Sequence, residues 1–201
     1  TVSRNRIYAR NAAGLELDES RIWNLFTFVG RHGLELGGDT LDRVERFLAQ
    51  PDLTLGSYAS VRDALWTVLE TPYANIAVRA MERTGFLAFL FPEWNDIDSL
   101  PVRDYYHRYT VDEHTLVCID ALCELTRGQE GLDLRMLDLA EQTQSQALVI
   151  LALVFHDIGK KDGVEGHAER SRALAAKALE RIGVEAREAD AVLALIEHHL
   201  L

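Results

Sequence analysis

Little in this chain could cross-link it, hold it in a bilayer or fix it on a nucleic-acid duplex. It has only two cysteines, Cys118 and Cys123. They fall in one expected helix at a spacing that a regular helix cannot bridge, so a disulfide scaffold is disfavoured and free thiols in a reducing cytoplasm are expected. No apolar run approaches the ~20 residues a membrane-spanning helix needs; the longest, Ala147 to Phe155, has the length of a core helix. Basic residues are in deficit, 21 Lys and Arg against 32 Asp and Glu, for a net charge of −11. A duplex-binding surface needs a basic face, so that class of function is disfavoured, while a local basic pocket stays open. No signal peptide, repeat or low-complexity segment is visible. Strands do not alternate with helices, which disfavours a doubly wound α/β fold.

What is present fits a soluble globular protein, with 48% hydrophobic and 26% charged residues in 201, enough for one large or two small domains. Arg6 to Ala9 and Leu15 to Leu17 flank Asn11-Ala12-Ala13-Gly14, a hairpin signal. The rest reads as helix. Asp18-Glu19-Ser20 offers caps for a helix that ends near Gly33, with Trp23, Phe26 and Phe28 expected in the core. Asp39-Thr40 caps a second helix, Tyr58 to Leu69 forms a third, and Ile76 to Met81 a fourth that ends at Gly85. An aromatic turn at 89–94 and a polar stretch ending in Pro101 mark a boundary. Further helices are expected from Val111 to Gly128, Leu132 to Ala140, Gln144 to Gly159 (with Gly159 as the residue just past the helix end), Glu165 to Ile182 and Glu185 to Leu200. The expected fold class is all-α with a small β-appendage, divided into residues 1–100 and 101–201.

His156-Asp157 is the most informative pair. An imidazole and a carboxylate closing an apolar helix are costly to bury unless a cation holds them, and both are good ligands for a divalent metal. Neighbouring helical residues diverge by about 100°, so the pair suits a loosened helix end, where the carboxylate could bridge two metals. Seven histidines occur. His114, His156, His167, His198 and His199 all stand at expected helix ends, which can converge on one site while helix bodies pack the core. Asp112, Glu113 and Glu197 are candidate outer acceptors for the second ring nitrogens. His107, among Tyr105, Tyr106 and Tyr109, is expected to pack, and His32 to have no role in function. Lys160, just after the pair, is a candidate phosphate contact.

His114 followed by His156-Asp157 resembles the HD-domain superfamily of metal-dependent phosphohydrolases, whose pattern is H…HD…D on a helical bundle. Variants that hold two metals add histidines at places matched by His167 and His198-His199. The run Tyr106-His107-Arg108-Tyr109-Thr110-Val111-Asp112-Glu113-His114-Thr115-Leu116 and the closing His198-His199-Leu200-Leu201 resemble the HD region of bacterial PII uridylyltransferase/uridylyl-removing enzymes. Arg21 to Phe26, His32 to Leu36 and Asp39-Thr40-Leu41 are similar to the helical segment linking the nucleotidyltransferase and HD domains of that family. Two departures are visible. The family's final aspartate is expected beyond Leu201, since Asp190 sits within a helix body, and Gly37-Gly38-Asp39 lacks the paired carboxylates of a nucleotidyltransferase. The chain is therefore expected to be a piece of a longer protein.

The resemblance implies one or two divalent ions (Fe, Mn, Mg, Co or Zn) held by His114, His156, Asp157, His167 and His198 or His199. His156, Asp157 and Lys160 would be the catalytic residues. It also implies phosphodiester hydrolysis in nitrogen regulation, with uridylylated PII protein as partner, UMP as product and a cytoplasmic setting. Two alternatives stand beside it: a phosphohydrolase of free nucleotides or cyclic phosphodiesters, and a helical regulatory module without catalysis.

Overall fold

The computed structural model describes residues 2–3, 5–8, 18–51, 53–101, 109–128 and 145–200. The expected helix at 132–140, His107 with Tyr105 and Tyr106, and the 11–17 part of the expected hairpin lie outside these. The chain divides into two compact units, Thr1–Leu90 and Phe91–Leu201. Among the described residues the fold is nine α-helices and one small sheet, the all-α architecture with a short N-terminal hairpin that the sequence implies.

In the first unit, β1 (Val2–Ser3) pairs antiparallel with β2 (Arg6–Ile7), which pairs parallel with β3 (Glu35–Leu36). The hairpin therefore turns at Asn5, a residue type that tolerates its φ of 62°. Helix α1 (Glu19–His32) starts as expected: Asp18 accepts a hydrogen bond from the Arg21 N–H at 2.9 Å. It stops at Gly33, whose left-handed φ of 64° lets its N–H cap Val29. The buried stripe is Ile22, Trp23, Phe26, Val29 and Gly30. Phe28 is not in it. It lies about 200° around the helix from Phe26, is 41% exposed and rests on the His32 ring at 4.3 Å. Trp23 and Phe26 instead meet Phe86, each with ring centroids 5.0 Å apart. Helices α2 (Gly38–Leu48), α3 (Tyr58–Leu69), α4 (Ala74–Arg83) and α5 (Phe86–Leu90) complete the unit. The expected Asp39-Thr40 cap falls inside α2, where the Thr40 hydroxyl donates to the Ile7 carbonyl at 3.0 Å and ties the helix to the sheet.

The second unit opens with a 3-10 turn at Pro92–Asp96, followed by α6 (Val111–Thr126), α7 (Gln146–His156), α8 (His167–Arg181) and α9 (Ala186–His198). Helix α7 is buried on nearly every side, through Ala147, Ile150, Leu151, Ala152, Val154 and Phe155, as an all-apolar helix must be. Each large side chain among them contributes about 1.5–3 kcal/mol by leaving water. Phe155 meets Phe91 edge-on at 5.1 Å. Arg181 of α8 grips Glu93 through two bonds of 2.9 and 2.7 Å, so residues at the start of this unit pack with it.

Helix α7 ends at His156 rather than Gly159. Asp157 leaves the helix at φ −112° and ψ 2°, and a 3-10 turn, Ile158–Asp162, follows. Gly159 is thus not a left-handed cap. Its need for glycine is steric: a Cβ there would stand 2.4 Å from the His167 carbonyl oxygen and 2.7 Å from the Ser171 nitrogen. That close approach seats the turn directly against the start of α8.

Candidate metal centre

Four helices of the second unit present histidines to one carboxylate. His114 comes from the first turn of α6, His156 from the last residue of α7, His167 from the first residue of α8, and His199 caps α9. Asp157 is 2% exposed and stands between them. Its Oδ2 lies 3.2 Å from His156 Nε2 and 3.9 Å from His114 Nε2. Its Oδ1 lies 3.2 Å from His167 Nε2 and 3.7 Å from His199 Nε2. Each carboxylate oxygen therefore faces its own pair of imidazoles, and two groups with metal-ligand spacing share one aspartate: His114, His156, Asp157 and Asp157, His167, His199.

The other ring nitrogens decide what these atoms can do. The Nδ1 atoms of His156, His167 and His199 each lie 2.6 Å from a main-chain carbonyl three residues earlier, of Leu153, Val164 and Ile196. A carbonyl only accepts, so Nδ1 carries the proton, and the neutral ring then offers a lone pair at Nε2. Lone pairs of His167 and His199 face each other at 3.2 Å, and both face a carboxylate. Buried Asp157 Oδ1 receives no hydrogen bond. Acceptors converging on acceptors need a proton or a metal cation between them. Two imidazole nitrogens each about 2.1 Å from one ion stand about 3.0–3.4 Å apart for right-angled to tetrahedral coordination, so the His167–His199 spacing fits a shared ion.

Burial pushes the Asp157 carboxyl up, but in the metal-free chain a proton shared from His156 Nε2, together with the Lys160 ammonium, outweighs it and holds the group well below the usual carboxylate range. The Lys160 ammonium donates to Asp157 Oδ2 at 2.6 Å. Burial pushes His199 down, helped by His156 and opposed by the Ile196 carbonyl and Asp157, which favours the neutral, ligating ring.

Of the residues singled out in the sequence, His114, His156, Asp157, His167, His199 and Lys160 come together here. His198 does not join either group; it is exposed at the end of α9 and lines a cavity with His156 and His199. That cavity, about 660 Å³, runs between α7 and α9 and is walled by Leu148, Ala152, Ala191 and Leu195. The outer acceptors for His156, His167 and His199 are main-chain carbonyls rather than acidic side chains, and Glu197 pairs with Arg172 at 3.3 Å. Sequence reasoning could not find those carbonyls, because any residue type supplies one. The i, i+4 spacing of Cys118 from His114 is a further signal in the sequence: its sulfur lies 3.7 Å from His114 Nε2. Burial and the Asp157 charge push the Cys118 thiol up, and neither cysteine forms a disulfide.

The fold and the cluster define a helical protein whose second unit carries a candidate two-cation His/Asp centre. Its relatives are consistent with the sequence resemblance. The chain is 32% identical over 182 residues to the bifunctional uridylyltransferase/uridylyl-removing enzyme of Rhodospirillum rubrum, covering 88% of this chain and 19% of that protein. It is 31% identical over 180 residues to the enzyme of the same name from Zymomonas mobilis, with 88% and 19% covered. For that of Haemophilus influenzae the match is 30% over 196 residues, with 96% and 22% covered. No protein-family model matches. The chain is thus homologous to one segment of these bifunctional enzymes and spans about a fifth of the length of the curated relatives it matches. No helix among the described residues is long and apolar enough to cross a membrane.

Proposed function

We infer that this chain is the uridylyl-removing, HD-type phosphohydrolase portion of a PII-modifying enzyme, with residues 101–201 as the HD domain and 1–100 as its helical linker region. One observation carries the reading: the two oxygens of buried Asp157 each face the Nε2 atoms of a separate pair of imidazoles, at 3.2 to 3.9 Å. In this reading His114, His156 and Asp157 would hold one cation, and Asp157, His167 and His199 the other. Divalent ions so held supply Lewis acidity toward phosphoryl oxygens and make water a competent nucleophile at neutral pH.

The chain's own residues do the rest. The Leu153, Val164 and Ile196 carbonyls fix the tautomer and orientation of three rings. Lys160, its ammonium already at the cluster, meets a phosphoryl oxygen and offsets its charge. The apolar cavity beside His156 and His199 offers a wall to the organic part of the ester. The reaction is hydrolysis of uridylyl-tyrosine on PII: a water oxygen bonds to phosphorus, the phosphorus–phenolic oxygen bond breaks, the phenol leaves with a proton, and UMP is released.

The test is UMP release from a uridylyl-tyrosine peptide by the protein supplied with Mn²⁺ or Co²⁺, compared with turnover of free and cyclic nucleotides. The reading expects UMP from the peptide, lost on chelation and in Asp157→Asn. Release that survives in Asp157→Asn, or a preference for free nucleotides, contradicts it.

A further inference from the structure

The connection from Asp157 to His167 sets half of the candidate centre, yet residues 161–166 are all exposed. A segment with so little burial opens easily unless something else holds it. Arg170, one turn into α8, spans it. Its Nε donates to the Gly159 carbonyl at 3.0 Å, one terminal nitrogen donates to the Glu165 carbonyl at 2.8 Å, and the other donates to the Gly163 carbonyl. Beneath it, the Gly159 N–H donates to the buried Ser171 hydroxyl at 2.9 Å. The Gly163 N–H closes the turn on the Lys160 carbonyl at 2.9 Å.

We propose that Arg170 is a positioning residue for the cation position formed by Asp157, His167 and His199: its guanidinium staples the 159–166 connection and so sets the approach of His167 to Asp157. The inference rests on the two-cation reading above, but its physical basis is geometric. A planar fork reaches three carbonyls in different directions, whereas a lysine ammonium carries its donors on one atom. Arg170 thus acts through shape, and its charge alone does not replace it. His114 and His156 themselves come from α6 and α7, outside this connection.

The experiment titrates the wild-type chain, Arg170→Ala, Arg170→Lys and Ser171→Ala with Mn²⁺ by calorimetry and follows amide hydrogen exchange in the metal-free proteins. In both Arg170 variants the first equivalent binds as in wild type, and the second binds about 10–100-fold more weakly, the usual effect of losing an outer-shell support. Ser171→Ala, which removes only the hydroxyl, weakens the same equivalent by less. Exchange at Gly159 and Gly163 accelerates in Arg170→Ala. An unchanged second equivalent in Arg170→Ala, or full rescue by Arg170→Lys, overturns the proposal. Unchanged exchange at those amides overturns it independently of any metal, whereas a wild-type chain that binds no metal defeats the two-cation reading itself.

Discussion

Substituting Gly159 by alanine separates two physical arguments by the sign of their effect. Gly159 has no left-handed φ, so propensity alone expects Gly→Ala to stabilise by about 0.4–1 kcal/mol through the unfolded chain. The packing says the reverse. The new Cβ would stand 2.4 Å from the His167 carbonyl oxygen and 2.7 Å from the Ser171 nitrogen, both main-chain atoms at the start of α8 that no rotamer change can move. Relief requires the 3-10 turn and α8 to separate, at about 1–3 kcal/mol for overpacking. Parting them also weakens the buried Gly159–Ser171 hydrogen bond, adding about 1 kcal/mol. Set against the unfolded-chain gain, the net loss is about 1–3.5 kcal/mol, which for a chain of this size lowers Tm by roughly 2–14 °C. Thermal unfolding followed by circular dichroism measures it. A Tm equal to or above that of wild type would refute the close-approach argument.

Other expectations follow from the same geometry. His199→Ala should reduce the metal stoichiometry by one, whereas His198→Ala should leave it intact, since only His199 joins a ligand group; calorimetric titration separates them. Phe26→Ala should cost about 3–5 kcal/mol in urea unfolding, while Phe28→Ala, at an exposed site, should stay within about 0.5 kcal/mol. For the metal-free chain, the depressed Asp157 carboxyl adds stability that is fully present above about pH 4, the ordinary carboxylate value. That contribution is lost as pH falls through the lower folded value, because the unfolded chain takes up the proton first. The depressed His199 has the same sign, removing stability as pH drops below about 6.5. Unfolding free energies that rise on acidification from about pH 7 to about pH 5 would contradict the His199 expectation, and a rise on going below about pH 4 would contradict the Asp157 one.

The helices were legible because capping residues and apolar spacing agree. Asp18 and Gly33 bracket α1, and Tyr58–Leu69 forms where the pattern places it. Phe28 departs from the expected core because an aromatic in an amphipathic run reads as core until its angle around the helix is taken from its neighbours. Gly159 reads as a cap because glycine after an apolar helix commonly serves as one; its actual constraint comes from α8, which local sequence does not show. The histidines of the site were legible as residues at helix ends, since imidazole and carboxylate are conspicuous there. Their partition between Asp157 Oδ1 and Oδ2, and the choice of His199 over His198, depend on how the helices cross. The three carbonyls behind the rings and the Arg170 staple depend on backbone geometry and leave little mark on residue identity.

The central claim, that Asp157 bridges two cation positions, is tested most directly by calorimetric titration of the chain and its Asp157→Asn variant with Mn²⁺. Asparagine keeps the shape and can still accept from Lys160, so the fold is retained while the bridging charge is lost. The account predicts two equivalents bound by the wild-type chain and neither held at comparable affinity by the variant. Two equivalents bound equally well by Asp157→Asn would contradict it.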